Sequence, residues 1–274
     1  FRRVLFRSYS AHGLAGNLGW ALAPVFLASV TMLTDWRTAY LAAAMVYALV
    51  WATLYLNRAK LLTTVVARSP QEPAEHSLAF MRQPVVWWCF AFFLFSTITL
   101  AVVQNFSVSI LQAMHSISFR DATLTVTAYM LCGAVGMLAG GFVAARARSV
   151  DRVVATAMAS AGVLLVLCAT GWLGATTTMA VLASTGFAIG IGSPSRDLMV
   201  RKVTPKGATG RVYGLVYSGF DTGLALAPLM FGLLMDQQHY ALTLVGAAMT
   251  LALSVFIALG VGQRTLQSAS PVRA

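Results

Sequence analysis

The sequence predicts an all-α protein, a polytopic transmembrane helical bundle of eight helices, and three observations carry that prediction. Hydrophobic residues make up 58% of the 274 and charged residues only 10%, with a mean hydropathy of +0.76, which leaves too little polar surface to cover a soluble globule. Charge-poor runs of about 20 residues, the length that crosses a hydrocarbon layer about 30 Å thick, recur eight times. The basic residues sit in alternate loops: only Arg37 and Arg120 fall on one side, and the other 17 of the 19 Lys and Arg fall on the opposite side. Because cytoplasmic loops collect Lys and Arg, both termini are expected in the cytoplasm and the helix count is even. The same distribution argues against reading the net charge of +11 as a nucleic-acid surface.

Taken in order, the first span covers about residues 10–34 and, after Asp35, Trp36 and Arg37, the second runs over about 38–56. The polar stretch 57–82, with Pro70, Glu72, Pro73 and Glu75, is the one linker long enough to separate two domains. The third span starts near Pro84 and stays free of charge as far as His115, longer than a crossing needs, so its outer end is expected to tilt or break. The fourth covers about 122–144, the fifth 153–172, and the sixth 176–193, where Pro194 is read as its end. The seventh lies between Arg211 and Asp236, and the eighth covers about 240–261. Several Trp residues, among them Trp36, Trp51 and Trp87, fall near span ends, where amphipathic rings favour the headgroup zone.

Cys89, Cys132 and Cys168 lie inside apolar runs without a CxxC pair, and His12, His76, His115 and His239 show no i, i+4 pairing. Neither a disulfide framework nor a metal site is expected, and no cofactor motif is present. A membrane-embedded enzyme would need an HExxH, a GxSxG or paired intramembrane acids, none of which the sequence holds, so no enzymatic role is expected. The opening FRRVLFRS has no apolar h-region and is not a signal peptide. It looks like read-through sequence, which makes residues 1–8 non-native and the true N-terminus upstream.

The seventh span carries the sharpest signal. Its interior, RVYGLVYSGFDTGLALAPLMFGLLMD between residues 211 and 236, holds one charge, Asp221. Ten residues at 1.5 Å each put that carboxylate about 15 Å deep, near the middle of a bilayer, where an acid is costly and by default functional. On a helical wheel Gly214, Ser218, Asp221, Ala225, Pro228 and Gly232 form one small or polar stripe opposite Val216, Phe220, Leu224 and Met230. Such a stripe is expected to face other helices or a water-filled cavity rather than lipid. Two roles for Asp221 stay open: carrying a coupling proton or meeting a cationic solute, and tying helices together through Ser218 or Thr222.

A shift of 204 residues lays Pro24 on Pro228 and brings ten of the 31 positions from Gly19 to Leu49 into identity without a gap, including Gly19 with Gly223 and Ala23 with Ala227. The same shift pairs Asn17 with Asp221. Both copies enter the membrane from the same side, which makes the repeat parallel, and six helices separate them. With a six-helix unit, residues 1–56 are the remnant of a first half, 57–82 a cytoplasmic linker, and 83–274 a complete second half with a short tail; about four helices would then be missing upstream.

The motifs GNLGWALAP, GGFVAARARSVDR, GFAIGIGSPSRD and TPKGATGRVYGLVYSGFDTGLALAPLMFGLLMD together resemble the major facilitator superfamily over nearly all of residues 10–262. The resemblance implies twelve-helix transporters built of two six-helix halves, with the eight spans standing for helices five to twelve. The family's G-x-L-A-D-R-x-G-R-R loop is matched by Gly141, Ala144 and Arg146, with Arg148 and Arg152 nearby; Ala145 replaces its acid, and Asp151 is the candidate substitute. There the resemblance implies a gate latch, and ordinary positive-inside charge is the equal alternative. The G-x-x-x-G-P pattern of drug/proton antiporters survives as Gly19, Ala23 and Pro24, repeated by Gly223, Ala227 and Pro228, and reads first as helix packing. Gly186 and Gly190 make a small-xxx-small pair with the same reading.

The polar groups Thr97, Gln104, Asn105, Tyr129 and Thr185 are candidates to reach a central cavity with Asp221, Asn17 and Ser218. For these five the interhelical hydrogen bond is the competing role. The resemblance implies a secondary active transporter of a small solute working by alternating access, in a bacterial cytoplasmic membrane. Its partners would be the solute, the lipid bilayer, the missing N-terminal helices and, through Asp221 as the one acid within a span, a proton; efflux and uptake both stay open. A non-transporting receptor or assembly protein on the same fold is the alternative.

Overall fold

The computed structural model describes residues 15–16, 18–20, 22–23, 25–27, 29–61, 79–204 and 208–269. Among these residues there is no strand. Seven helices are long and apolar enough to cross a membrane. We number them α2 (Trp36–Leu56), α3 (Pro84–His115), α4 (Phe119–Arg146), α5 (Val150–Ala169), α6 (Ala175–Val203), α7 (Thr209–Asp236) and α8 (Tyr240–Ala269), and give the label α1 to the shorter apolar helix Leu18–Leu33 in its described residues. The chain divides into two compact units, Gly19–Ser77 and the remainder.

In the first unit, Asp35 caps α2: its carboxylate accepts from the Thr38 hydroxyl at 2.7 Å and from the backbone N–H groups of Arg37 at 2.7 Å and Thr38 at 3.1 Å. Such caps satisfy donors that a helix N-terminus leaves over. The bonds from Thr38, then Arg37, hold the Asp35 carboxyl below the usual carboxylate range. Aromatic residues mark both ends of α2. The Arg37 guanidinium lies 4.5 Å from the centre of the Trp36 ring, and that of Arg58 lies 4.4 Å from the Tyr55 ring. Only Ala39 of this helix is buried, so nearly all of its apolar surface is free for lipid or for other helices.

The six helices α3 to α8 form the second unit. The packing runs α7 on α3, α3 on α8, α8 on α5, α5 on α6 and α6 on α4, so α4 and α7 end an arc that α3 backs. Helix α3 is central, with Phe92, Phe93, Ile98, Val102, Val103, Ile110 and Leu111 all buried. In lipid the hydrophobic effect does not distinguish a neighbouring helix from acyl chains, so close approach of backbones decides which faces meet. Two seams show this. A Cβ on Gly186 or Gly190 of α6 would run into the carbonyl oxygens of Tyr129 and Gly133 on α4, and one on Gly136 or Gly140 of α4 into those of Phe187 and Ile191. On α7, a Cβ at Gly223 would stand 2.7 Å from the Leu94 carbonyl oxygen and 3.0 Å from the Thr97 Cβ of α3, and Gly219 is held as closely against Phe90. A polar tie adds to the α3 and α8 contact: the Thr99 hydroxyl donates to the Ala247 carbonyl at 2.8 Å and lies 2.6 Å from the Thr250 hydroxyl.

One expectation narrows, since of the tilt or break expected of the third span the break does not occur, and one changes. Helix α3 runs unbroken for 32 residues, from Pro84 at its first turn to a left-handed cap at Ser116, so its extra length, about 48 Å in all, does not break it. Helix α6 does not stop before Pro194 but continues to Val203. Proline removes one backbone donor, yet inside a membrane bundle neighbouring groups compensate. Here Gly190, Gly192, Ser193 and Ser195 around it are buried, so the Gly190 carbonyl that Pro194 leaves without its helical donor lies within packed protein and not in lipid. The consequence is that Arg196 and Asp197, expected in a loop, sit inside a helix.

Candidate functional site

Helix α7 seats Val212, Val216, Gly219, Gly223, Ala227 and Phe231 inside the bundle. These residues repeat every three to four positions, so they form one face. The stripe of Gly214, Asp221, Ala225 and Pro228 lies on another face and is exposed, with Ser218 and Gly232 half-buried. Of the two surroundings expected for this stripe, other helices or a water-filled cavity, the first is not met by the helices of the six-helix unit for its exposed members. Gly219 and Gly223, rather than the stripe, make the seam, because their backbones are what α3 approaches. Asp221 lies twelve residues into α7, about 18 Å along it, and its carboxylate has no hydrogen-bond or ion-pair partner among the described residues. Ser218 and Thr222 do not tie it down: their hydroxyls donate back along α7, to the carbonyls of Leu215 and Ser218, each at 2.7 Å.

The other candidates are dispersed. Thr185 is fully buried and donates to the Val181 carbonyl at 3.1 Å. Tyr129 is buried beneath Gly186 in the α4 and α6 seam. Thr97 packs against Gly223. Asn105 is exposed, whereas the Nε2 of Gln104 on the same helix is buried with no hydrogen-bond partner among the described residues. No hydrogen bond among the described residues joins Asp221 to any of these groups. Gly141 is buried on α4 and Arg146 is exposed in its last turn. Gly19, in the other unit, is exposed and a Cβ there meets nothing within 4 Å. Asn17 and Pro24 lie outside the described residues. Asp151 accepts from the Ser149 hydroxyl at 2.8 Å and packs against Gly262 of α8, while the N-terminus of α7 at Ala208 has no side-chain cap.

One cluster was not anticipated. On α6 the Nε of Arg196 donates to Asp197 Oδ1 at 3.1 Å, and the guanidinium carbon lies 4.8 Å from the centre of the Phe93 ring of α3. Phe93 meets Tyr217 of α7 at 5.0 Å between ring centres, Tyr217 stacks on Tyr213 at 6.0 Å, and the Tyr213 hydroxyl donates to the Asp197 carbonyl at 3.3 Å. These residues lie about 6 to 14 Å from the ends of their helices at Pro84, Val203 and Thr209, on the end of the bundle that collects the basic residues. The available signal was GSPSRD itself: had α6 been carried through Pro194, its Arg and Asp would have been read as intramembrane charges.

Long apolar helices packed through glycine seams, with single charges placed along them, define a polytopic integral membrane protein. The sequence model of the Major Facilitator Superfamily matches residues 102–273, and the chain belongs to that family of membrane transporters. No curated protein matches the chain.

Proposed function

We propose that this membrane transporter moves a small solute by alternating access, with Asp221 carrying a coupling proton. In this reading residues 83–274 are one of two six-helix halves that rock about a central site, the basic end of the bundle faces the cytoplasm, and the membrane is a bacterial cytoplasmic one. The observation that carries it is Asp221: a carboxylate about 18 Å into α7, turned to the exposed face of that helix and without a cation to neutralise it among the described residues. Asp197 is also inside a span but spends its charge on Arg196. An unpaired acid at mid-depth is expensive unless it exchanges a proton or meets a cationic group in the transport cycle.

The test is uptake or efflux in vesicles holding the intact transporter, with and without an imposed pH gradient. Asp221→Asn keeps the size and polarity of the side chain and removes its proton exchange, so the gradient dependence should vanish. A variant that still follows the pH gradient would remove Asp221 from coupling.

A further inference from the structure

The cluster around Arg196 has more donor capacity than its neighbours use. A guanidinium presents five N–H donors in a planar fork. Asp197, the adjacent residue on the same helix, takes only Nε, because side chains at i and i+1 do not face each other and a two-pronged pairing is out of reach. Phe93 covers one face of the guanidinium plane. The two terminal nitrogens have no hydrogen-bond partner among the described residues, and neither has the Tyr217 hydroxyl. The Arg196 side chain is 20% exposed and Tyr217 is 40% exposed. A carboxylate meeting the free edge of the guanidinium would complete it with two parallel charge-assisted bonds.

We propose that Arg196 is a substrate-binding residue for an organic anion, its terminal nitrogens gripping a carboxylate while the body of the solute lies along Tyr217. Asp221 stands one turn deeper on the same helix as Tyr217, four residues on, so the anionic solute and the coupling group would occupy neighbouring levels of α7. This names the substrate class of the transporter and rests on that reading.

Binding to the purified chain in lipid nanodiscs tests it without any gradient. Benzoate is the probe, a carboxylate on an aromatic ring, and benzamide is its uncharged counterpart. The unaltered protein should hold benzoate about tenfold or more tightly than benzamide, as a two-pronged charged pairing requires. Arg196→Gln should erase that preference, and Arg196→Lys, which keeps the charge without the fork, should retain part of it. Benzamide binding within about twofold of benzoate on the unaltered protein would overturn the proposal, and that comparison needs no variant to fold. So would an Arg196→Gln protein that still prefers benzoate, which would leave Arg196 a packing role. The outcome is separable from that for Asp221: unchanged pH coupling in Asp221→Asn discards the proton pathway and leaves the anion site standing, whereas a lost anion preference does the reverse.

Discussion

The two faces of α7 make an instructive pair, since both are built from small residues and they do opposite things. One carries Gly219 and Gly223, pressed onto α3, and the buried Ala227; the other carries Gly214, Asp221 and Ala225, which are exposed, and the half-buried Ser218. Smallness serves contact on the first face, because it lets two backbones approach. On the second it leaves the Asp221 carboxylate uncovered by its neighbours along the stripe. A stripe of small residues therefore signals two different things, and the presence of a charge within it is the feature that separates them.

The largest effect should come from filling the seam. Gly219→Ala or Gly223→Ala sets a methyl against the carbonyls of Phe90 or Leu94, and backbone gives way less easily than a flexible side chain. A loss of about 1–3 kcal/mol is expected in unfolding of the detergent-solubilised chain. The same change at Gly214 should go the other way. A Cβ there meets nothing within 4 Å, so Gly214→Ala should be neutral or stabilise by up to about 1 kcal/mol through helix propensity. Equal costs at the two positions would erase the distinction between the faces.

A smaller effect is expected at the polar tie between α3 and α8. Thr99→Val removes the bond to Ala247 and should cost about 0.6 kcal/mol, the typical worth of an interhelical hydrogen bond in a membrane. Thr250 keeps its own bond to the same carbonyl at 2.8 Å, which limits the damage. A cost several times larger would make this tie, rather than the glycine seams, the main joint of α3.

The smallest lies at the exposed cap of α2. Because the Asp35 carboxyl is held below its unfolded value, its contribution is present above the unfolded pKa and is lost as pH falls through the folded one. Asp35→Ala should therefore lower stability at neutral pH, and the difference from the unaltered protein should close as acid protonates the carboxylate in both states. A difference that stays constant with pH would mean that the cap acts without its charge.

Much of the fold could be read directly. The α3, α7 and α8 starts fall within two residues of the positions expected from charge and proline, and the elements come in the expected order. The site was less legible. Asp221 is legible because a lone charge stands out between residues 212 and 235, and the helical setting of Arg196 is not, because a proline reads as a stop. In water that inference is sound, since a proline inside a helix costs about 3 kcal/mol. In a packed membrane helix the alternative, backbone groups freed into lipid, is worse, and the helix goes on.

The sequence by itself determined that this chain is a membrane bundle and the order of its helices, because the bilayer sorts residues by hydropathy and by charge before any two helices meet. Only the tertiary structure decided which small residues touch: Gly219 and Gly223 rather than Gly214 and Ala225, and Arg196 over Phe93 rather than in a loop. Those choices depend on which backbones approach closest, a property of pairs of helices that no single helix carries in its own pattern.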